Sequence, residues 1–298
     1  MVKLFSVIIP TFDRPATLNQ CLEALANLDY PRADFEVVVV DDGGSTSLEP
    51  LLEPWRGSLQ LQLLRQENAG PAAARNRGAR EANGGWLVFL DDDCVPHADW
   101  LRAFADAAHD PGEVLGGVTI NAVSNNPYSA ASGILLDYLA EYFFVRESSL
   151  RFFPSNNLAV SSERFRQLGG FDSAFRSAAG EDREFCDRWL ESGGRLCKVP
   201  GAIVKHSRSL NLSTFVHQHF RYGQGAFVFH SVRAKRNAAG WRLEPFAFYS
   251  GLIHFPWREQ RGLRAWRYAV LLGISQLANA AGVLWAKILN LSSRKSSA

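Results

Sequence analysis

Residues 86–96 read WLVFLDDDCVP, five apolar residues running straight into three carboxylates, Asp91, Asp92 and Asp93. Neighbouring carboxylates repel by about 1 kcal/mol per pair in water and several times more when half-buried. A chain that ends a buried stretch on three of them needs a countercharge. In an extended loop Asp91 and Asp93 project to one side and Asp92 to the other. Two carboxylates so spaced can share a hard divalent cation, or one can hold the cation while the other holds a ribose hydroxyl. Mg²⁺ or Mn²⁺ bound by one or two carboxylates plus substrate phosphates is a common arrangement. The plain alternative is a solvated acidic turn before a helix starting at Asp99. A second acid stands out in GEDREFCDRWL, residues 180–190. Asp182 shares helical i, i+3, i+4, i+7 spacing with Phe185, Cys186 and Trp189. The helix dipole favours Glu181 and Asp182 in a first turn, but it does not account for an acid on the apolar face. A half-buried carboxylate beside a cleft is a candidate general base.

The elements that must position these acids are legible from apolar patterning. KLFSVIIP, FEVVVVDD, LQLLR and WLVFLDDD are continuous apolar runs, the mark of strands buried on both faces. TLNQCLEALANL places Leu18, Cys21, Leu22, Leu25 and Leu28 on one helical face, and an Ala-rich helix is expected from Pro71 to about Ala82. This alternation predicts an α/β chain whose mostly parallel central sheet is flanked by helices. Ligands of such sheets bind beyond the carboxyl ends of the strands. Those ends carry Asp13 in PTFDR, Asp41 and Asp42 in DDGGS, and the triplet itself, so three strand ends aim acids at one edge. No strand is followed by GxGxxG, the fingerprint of dehydrogenase-type dinucleotide folds. Acids at these turns suit ribose hydroxyls or base N–H groups better than a bare pyrophosphate.

Other segments carry weaker signals. In ENAGPAAARNRGA, Pro71 suits a first helical position, Ala72 to Ala74 permit close approach, and Arg75 lies one turn in. An ordinary Ala-rich helix fits the same residues. His206 follows a strand-like run and completes an oxygen-rich cation site only if the fold brings it to Asp93. Arg221 in QHFRY sits among aromatics, where pyrophosphate binding and a plain amphipathic surface both fit. Cys21, Cys94, Cys186 and Cys197 are scattered without a CxxC pair, which reads as reduced, intracellular thiols. The apolar run before Pro10 is too short for a signal peptide.

Charge is uneven. From residue 230 onward there are eleven Lys/Arg against two Asp/Glu, and before it twenty-one against twenty-eight. A basic tail implies an anionic partner such as a membrane surface, lipid phosphate or nucleic acid. Residues 268–286 carry no charge and are flanked by Arg261, Arg264 and Arg267 on one side and Lys287, Arg294 and Lys295 on the other. The stretch is long enough to cross a bilayer, but it contains Gln276 and Asn279, and its two-sided positive flanks give no orientation. A helix on the membrane and a packing helix both remain open, ahead of a true span.

Taken together, SVIIPTFDRPATL, VVVVDDGGS, ENAGPAAARNRGA, FLDDDC, NNLAV…FRQLGGFD and GEDREFCDRW resemble, in order and over residues 4–225, the family-2 glycosyltransferases. The resemblance implies a glycosyltransferase-A fold with a Rossmann-like nucleotide-binding half. The catalytic domain would run over 1–225, and a basic, helical, membrane-associated region over 226–298. It implies inverting transfer from a nucleotide-sugar donor, UDP-linked, to a saccharide or lipid-linked acceptor, assisted by Mg²⁺ or Mn²⁺. Carried over, Pro10, Thr11, Asp13 and Asp42 would hold the nucleoside and Asp91 the ribose. Arg75 would assist near the base or phosphates and Arg221 would serve the phosphates, Asp93 with His206 the metal, Asn156, Asn157 and Glu181 the acceptor, and Asp182 would be the base. Tyr222 stands where the family's processive synthases carry Trp, which speaks against a processive enzyme. The expected location is cytoplasmic, at the inner face of the cell membrane, with no nucleic-acid partner. A nucleotidyltransferase acting on sugar phosphates and a non-catalytic sugar-nucleotide-binding protein are the rival readings.

Overall fold

The computed structural model describes residues 5–123, 125–147, 152–175, 179–237, 244–258 and 260–296. The chain begins with β1 (Phe5–Thr11), whose seven residues are all buried. A strand of FSVIIPT has no polar face, so it sits in mid-sheet with a parallel neighbour on each side, as its continuous apolar run predicts. Helix α1 (Pro15–Ala26) starts on a proline that supplies a ready helical φ, and buries Leu18, Cys21, Leu22 and Leu25. Next come β2 (Phe35–Asp41), a short α2 (Glu49–Leu52), β3 (Leu61–Arg65), α3 (Pro71–Glu81), β4 (Trp86–Leu90), β5 (Cys94–Pro96), α4 (Trp100–Ala107) and β6 (Glu113–Asn121). After α5 (Pro127–Glu147) follow β7 (Asn157–Ser161), α6 (Ser162–Gln167), α7 (Glu181–Glu191), β8 (Arg195–His206), α8 (Leu212–Asn237), α9 (Phe246–His254) and α10 (Leu263–Ser296).

All eight strands form one sheet in the order β3-β2-β1-β4-β7-β6-β8-β5. The β3-β2-β1-β4 run is parallel. Beyond it β7 is antiparallel to both neighbours, β8 is parallel to β6, and β5 is antiparallel to β8. Thr11 pairs in register with Asp41, so β1 and β2 end level and deliver their loops to the same edge. Helix α3 lies nearly flush on this half-sheet. A Cβ on Gly78 would come within 2.6 Å of the Ile8 side chain, which is why glycine and the buried Ala72, Ala74 and Ala79 line that face.

The chain divides into two compact units. The first comprises Met1–Ala122, Arg151–Arg176 and Glu181–Ser207; the second comprises Val123–Leu150, Ser177–Gly180 and Arg208–Ala298. The division expected after residue 225 lies inside the continuous helix α8. Likewise the helix α5, placed by sequence in the catalytic domain, clusters with the C-terminal helices. In the second unit, Tyr138 of α5 donates its hydroxyl to the Phe248 carbonyl (2.6 Å) within an apolar cluster with Leu135, Leu252 and Leu272. Helices α8 and α10 meet at glycines. A Cβ on Gly223 would lie 1.9 Å from the Asn279 carbonyl, and one on Gly282 equally close to the Phe220 carbonyl.

Candidate active site

At the end of β4 the acidic triplet is a turn, not an extended loop, because the Cys94 N–H donates to the Asp91 carbonyl at 3.1 Å. Asp91 therefore faces one cation, while Asp92 and Asp93 share another. Asp91 accepts from Arg75 at 2.6 Å. Asp92 accepts from the Thr11 hydroxyl at 2.7 Å and lies 3.4 Å from Arg14. Asp93 pairs with Arg14 at 3.0 Å and with His206 Nε2 at 3.0 Å. The repulsion within the triplet is answered by two guanidinium groups. Burial pushes the Asp92 carboxyl up to about 6, against the Thr11 hydroxyl and Arg14. It is the buried anchor of the turn, while Asp93 is presented beside His206.

The sheet places His206. Strand β5 pairs antiparallel with the end of β8, Cys94 lies opposite His206, and the Ser207 N–H donates to the Asp93 carbonyl at 2.9 Å. The sequence alone left this meeting conditional. Ligand atoms of Asp93, Cys94 and His206 lie within 4.8 Å of one another. Burial and the nearby Asp91 and Asp93 raise the Cys94 thiol well above its usual range, and a soft sulfur donor does not suit a hard Mg²⁺ or Mn²⁺. The donors left are a carboxylate oxygen and an imidazole nitrogen, a set that fits Mn²⁺ or Mg²⁺ completed by substrate oxygens.

Arg75 is only 3% exposed and bridges two elements. One amino group reaches Asp91 at 2.6 Å and the other reaches Glu181, at the start of α7, at 2.9 Å. Both amino groups are thus engaged with carboxylates, and Arg75, expected near the base or phosphates, is the bridge between them. Glu181, expected on the acceptor side, is 3% exposed; burial lifts it to about 7, and its contact with Arg75 ties α7 to α3. Its Oε2 has no hydrogen-bond partner among the described residues. The next residue, Asp182, is half-buried; it accepts the Arg183 N–H at 2.7 Å and the Ser155 N–H at 3.4 Å. Burial raises its pKa above the usual carboxylate range, with the two N–H groups and Arg75 pulling the other way. The bridge through Arg75 brings the start of α7 to the acidic triplet.

The β1 and β2 loops are tied to each other. Asp13, exposed and at φ +52°, accepts from the Ser45 N–H at 2.6 Å and the Ser45 hydroxyl at 2.9 Å, which lower its pKa. Pro10 and Thr11 are buried at the end of β1. Asp42 is buried; it accepts from Gln66 at 2.7 Å and from the Ala69 and Gly70 N–H groups at 3.0 and 2.9 Å. It thus fixes the loop that enters α3, where Gly70 takes φ +90°, a conformation that favours glycine. Asn157, expected on the acceptor side, has its amide engaged within the sheet. It is 1% exposed, accepts from Trp100 Nε1 at 2.8 Å, and donates to the Val118 and Ala202 carbonyls at 3.1 and 2.8 Å, so its amide locks the sheet. Asn156 is half-buried and accepts from the Thr119 hydroxyl at 3.2 Å. Arg221 lies on α8 in the second unit. Arg14 is the residue that sequence reasoning missed. The signal was available, since three acids call for a cation and Arg14 follows directly on PTFD.

An eight-stranded mixed sheet whose strand ends gather acids beside a buried Arg bridge is a glycosyltransferase-A fold. A mannosyltransferase from Pyrobaculum calidifontis, solved with GDP-Man and Mn²⁺, superposes with TM-score 0.61 at 22% identity, covering 98% of this chain and 81% of that one. TarS of S. aureus, residues 1–349 with UDP-GlcNAc, superposes with TM-score 0.53 at 17% identity, over 98% and 92%. The glycosyl transferase family 2 model matches residues 6–169, and a model described as the N-terminal domain of galactosyltransferase matches 138–211. Glycosyltransferase AglE of Haloferax volcanii is 33% identical over 224 residues, 74% of this chain and 72% of that protein. The chain belongs to glycosyl transferase family 2. It is also 31% identical to a hyaluronan synthase of Pasteurella multocida over 67% of its length, but spans only 24% of that protein. It spans 46% of a pre-mycofactocin glycosyltransferase of Mycobacterium tuberculosis, at 29% identity.

Proposed function

We propose that this protein is an inverting glycosyltransferase that moves a sugar from a nucleotide-sugar donor, UDP-linked, to a hydroxyl of a saccharide or lipid-linked acceptor. The observation that carries the reading is the Arg75 bridge, 2.6 Å to Asp91 and 2.9 Å to Glu181. It joins the donor-side acids to the helix that carries the candidate base. The nucleoside seats on the β1 and β2 loops, with Asp13 and Asp91 offered to hydroxyl and N–H groups. Arg75 holds Asp91 in place at 2.6 Å. Asp93 and His206 would hold a divalent cation that, when bound, neutralises the donor's diphosphate. Arg14, whose side chain is 45% exposed, has room to leave Asp93 for a diphosphate oxygen.

Asp182 takes the proton of the acceptor hydroxyl as its oxygen attacks the anomeric carbon. The new C–O bond forms on one face while the bond to the diphosphate breaks on the other, and its electron pair leaves with the nucleoside diphosphate. The raised pKa of Asp182 makes it a stronger base than an exposed aspartate. The basic C-terminal helices support an acceptor presented at an anionic membrane face. A panel of nucleotide sugars with Mn²⁺ or Mg²⁺, read by released nucleoside diphosphate with and without envelope lipid, tests the reading. Turnover of one donor supports it, and no turnover of any with every acceptor class overturns it.

A further inference from the structure

The long helix α10 has two unlike faces. Ala265, Ala269, Leu272 and Ser275 are buried, and Gly282 sits against the Phe220 carbonyl of α8. On the other side Leu263, Trp266, Val270, Leu277, Leu284 and Ile288 are each between 56% and 88% exposed. With the exposed Ala281 their spacings are 3, 4, 7, 4, 3 and 4 residues. That is one narrow stripe, about 37 Å long at 1.5 Å per residue. Trp285 and Leu289, also exposed, widen its far end. At the near end Leu263, Trp266, Val270 and Leu271 join Tyr128 and Arg267 around a shallow groove of about 420 Å³. Single exposed apolar residues are ordinary, but a continuous stripe of this length marks a surface that another phase or partner covers.

Charge selects the occupant. Helix α10 contains no Asp or Glu, and the exposed Arg264, Arg267 and Lys287 border the stripe. Two copies packed stripe to stripe would bring these cations together with no acid to pair them. An anionic lipid surface supplies the complementary charge to the rims and an apolar phase to the stripe. We propose that the exposed face of α10 seats on an anionic bilayer with the helix axis in the membrane plane. The stretch Leu263–Asn290 is long and apolar enough to cross a membrane, with 33% of its most apolar window buried. Crossing would put lipid around its whole circumference, whereas its other face is occupied by α8, which carries His217, Gln218, Arg221 and Gln224. Immersing those polar side chains in acyl chains is costly. The aromatic Trp266 and Trp285 suit the headgroup boundary. This deepens the membrane-presented acceptor read above, and rests on it only for its purpose.

The test is flotation of the full chain with vesicles of phosphatidylcholine alone and of phosphatidylcholine with roughly one-third phosphatidylglycerol, over a salt series. Binding to the anionic vesicles, weakened by salt, with a blue shift of tryptophan emission, is expected. The double variant Trp266→Glu/Leu277→Glu should reduce partitioning at least tenfold while its circular dichroism stays that of the parent. Nucleoside diphosphate release from donor with a water-soluble acceptor should be unchanged in that variant, so failure to bind lipid is distinguishable from failure of the transferase reading. Equal binding to neutral vesicles, no effect of the double variant, or resistance to alkaline carbonate extraction would overturn the proposal. So would a lipid-independent dimer that the same variant dissolves.

Discussion

The carboxyl edge of the sheet and the outer face of α10 break the ordinary rule of burial in opposite senses. At the sheet edge, charge is inside: Asp92, Asp93, Arg75 and Glu181 are each 6% exposed or less. Along α10, apolar bulk is outside. Each departure is tolerable for a different reason. Buried charges persist because each has a partner of opposite sign, and the set fails as a whole if one is removed. The exposed stripe needs no internal partner, and each of its residues contributes separately. The first region is thus cooperative and the second additive, and substitutions separate them.

The largest expected effect is on chemistry. Asp182→Asn should lower the transfer rate by about 10³-fold, within the span that a positioned general base supplies, while nucleotide affinity stays near that of the parent. Steady-state rates together with calorimetric titration of nucleoside diphosphate check this, and equal loss of both would make Asp182 structural. The acid limb of the parent's rate–pH profile should lie above the ordinary aspartate range, because burial raises this carboxyl.

Next in size is the cooperative network. Arg75→Met leaves Asp91 and Glu181 facing each other without a cation, and should cost about 3–5 kcal/mol of stability. A urea melt reads it, and a change of under 1 kcal/mol would show that the bridge holds nothing together. By contrast, Leu284→Glu on the α10 stripe should leave the melt midpoint nearly unmoved.

A metal comparison sharpens the role of Asp93. Chelating divalent cations should stop donor turnover reversibly. His206→Ala should raise the Mn²⁺ concentration needed for half-maximal rate without changing the melt much. Activity indifferent to chelation would remove the cation from the reading.

The smallest effect is a pH slope. Glu181 is lifted by burial to about 7 from the 4.5 of an exposed glutamate, so the folded chain holds this proton more tightly than the unfolded one. Stability should therefore fall as pH rises from about 4.5 to about 7 and level off above, a change on the order of 3 kcal/mol at most. Glu181→Gln should flatten that part of the curve, and a parent curve that rises over the same interval would contradict it.

Much of the sheet edge was readable before any fold was known. The runs SVIIP, FEVVVV and WLVFL admit only strands buried on both faces, and an acid at each strand end follows from the linear order. The acceptor role of Glu181 came from the resemblance alone, since the sequence does not say which way a helix faces. Asn157, like Asn156, was placed on the acceptor side by the resemblance. Its engagement with Trp100 and two carbonyls of other strands comes from pairings many positions away. Arg14 went unassigned because its acids lie some eighty residues downstream.

By itself the amino-acid sequence determined the α/β class, the family, the acids at the strand ends and the uncharged stretch in a basic tail, because hydrophobic period and local charge are properties of neighbours. Only the tertiary structure decided which acid meets which cation: β5 pairing with β8 puts His206 on Asp93, and α3 lying flush on β1 carries Arg75 between Asp91 and Glu181. It also decided which side of α10 is covered. Those are contacts between distant segments, and their energies come from burial and pairing that no local window contains.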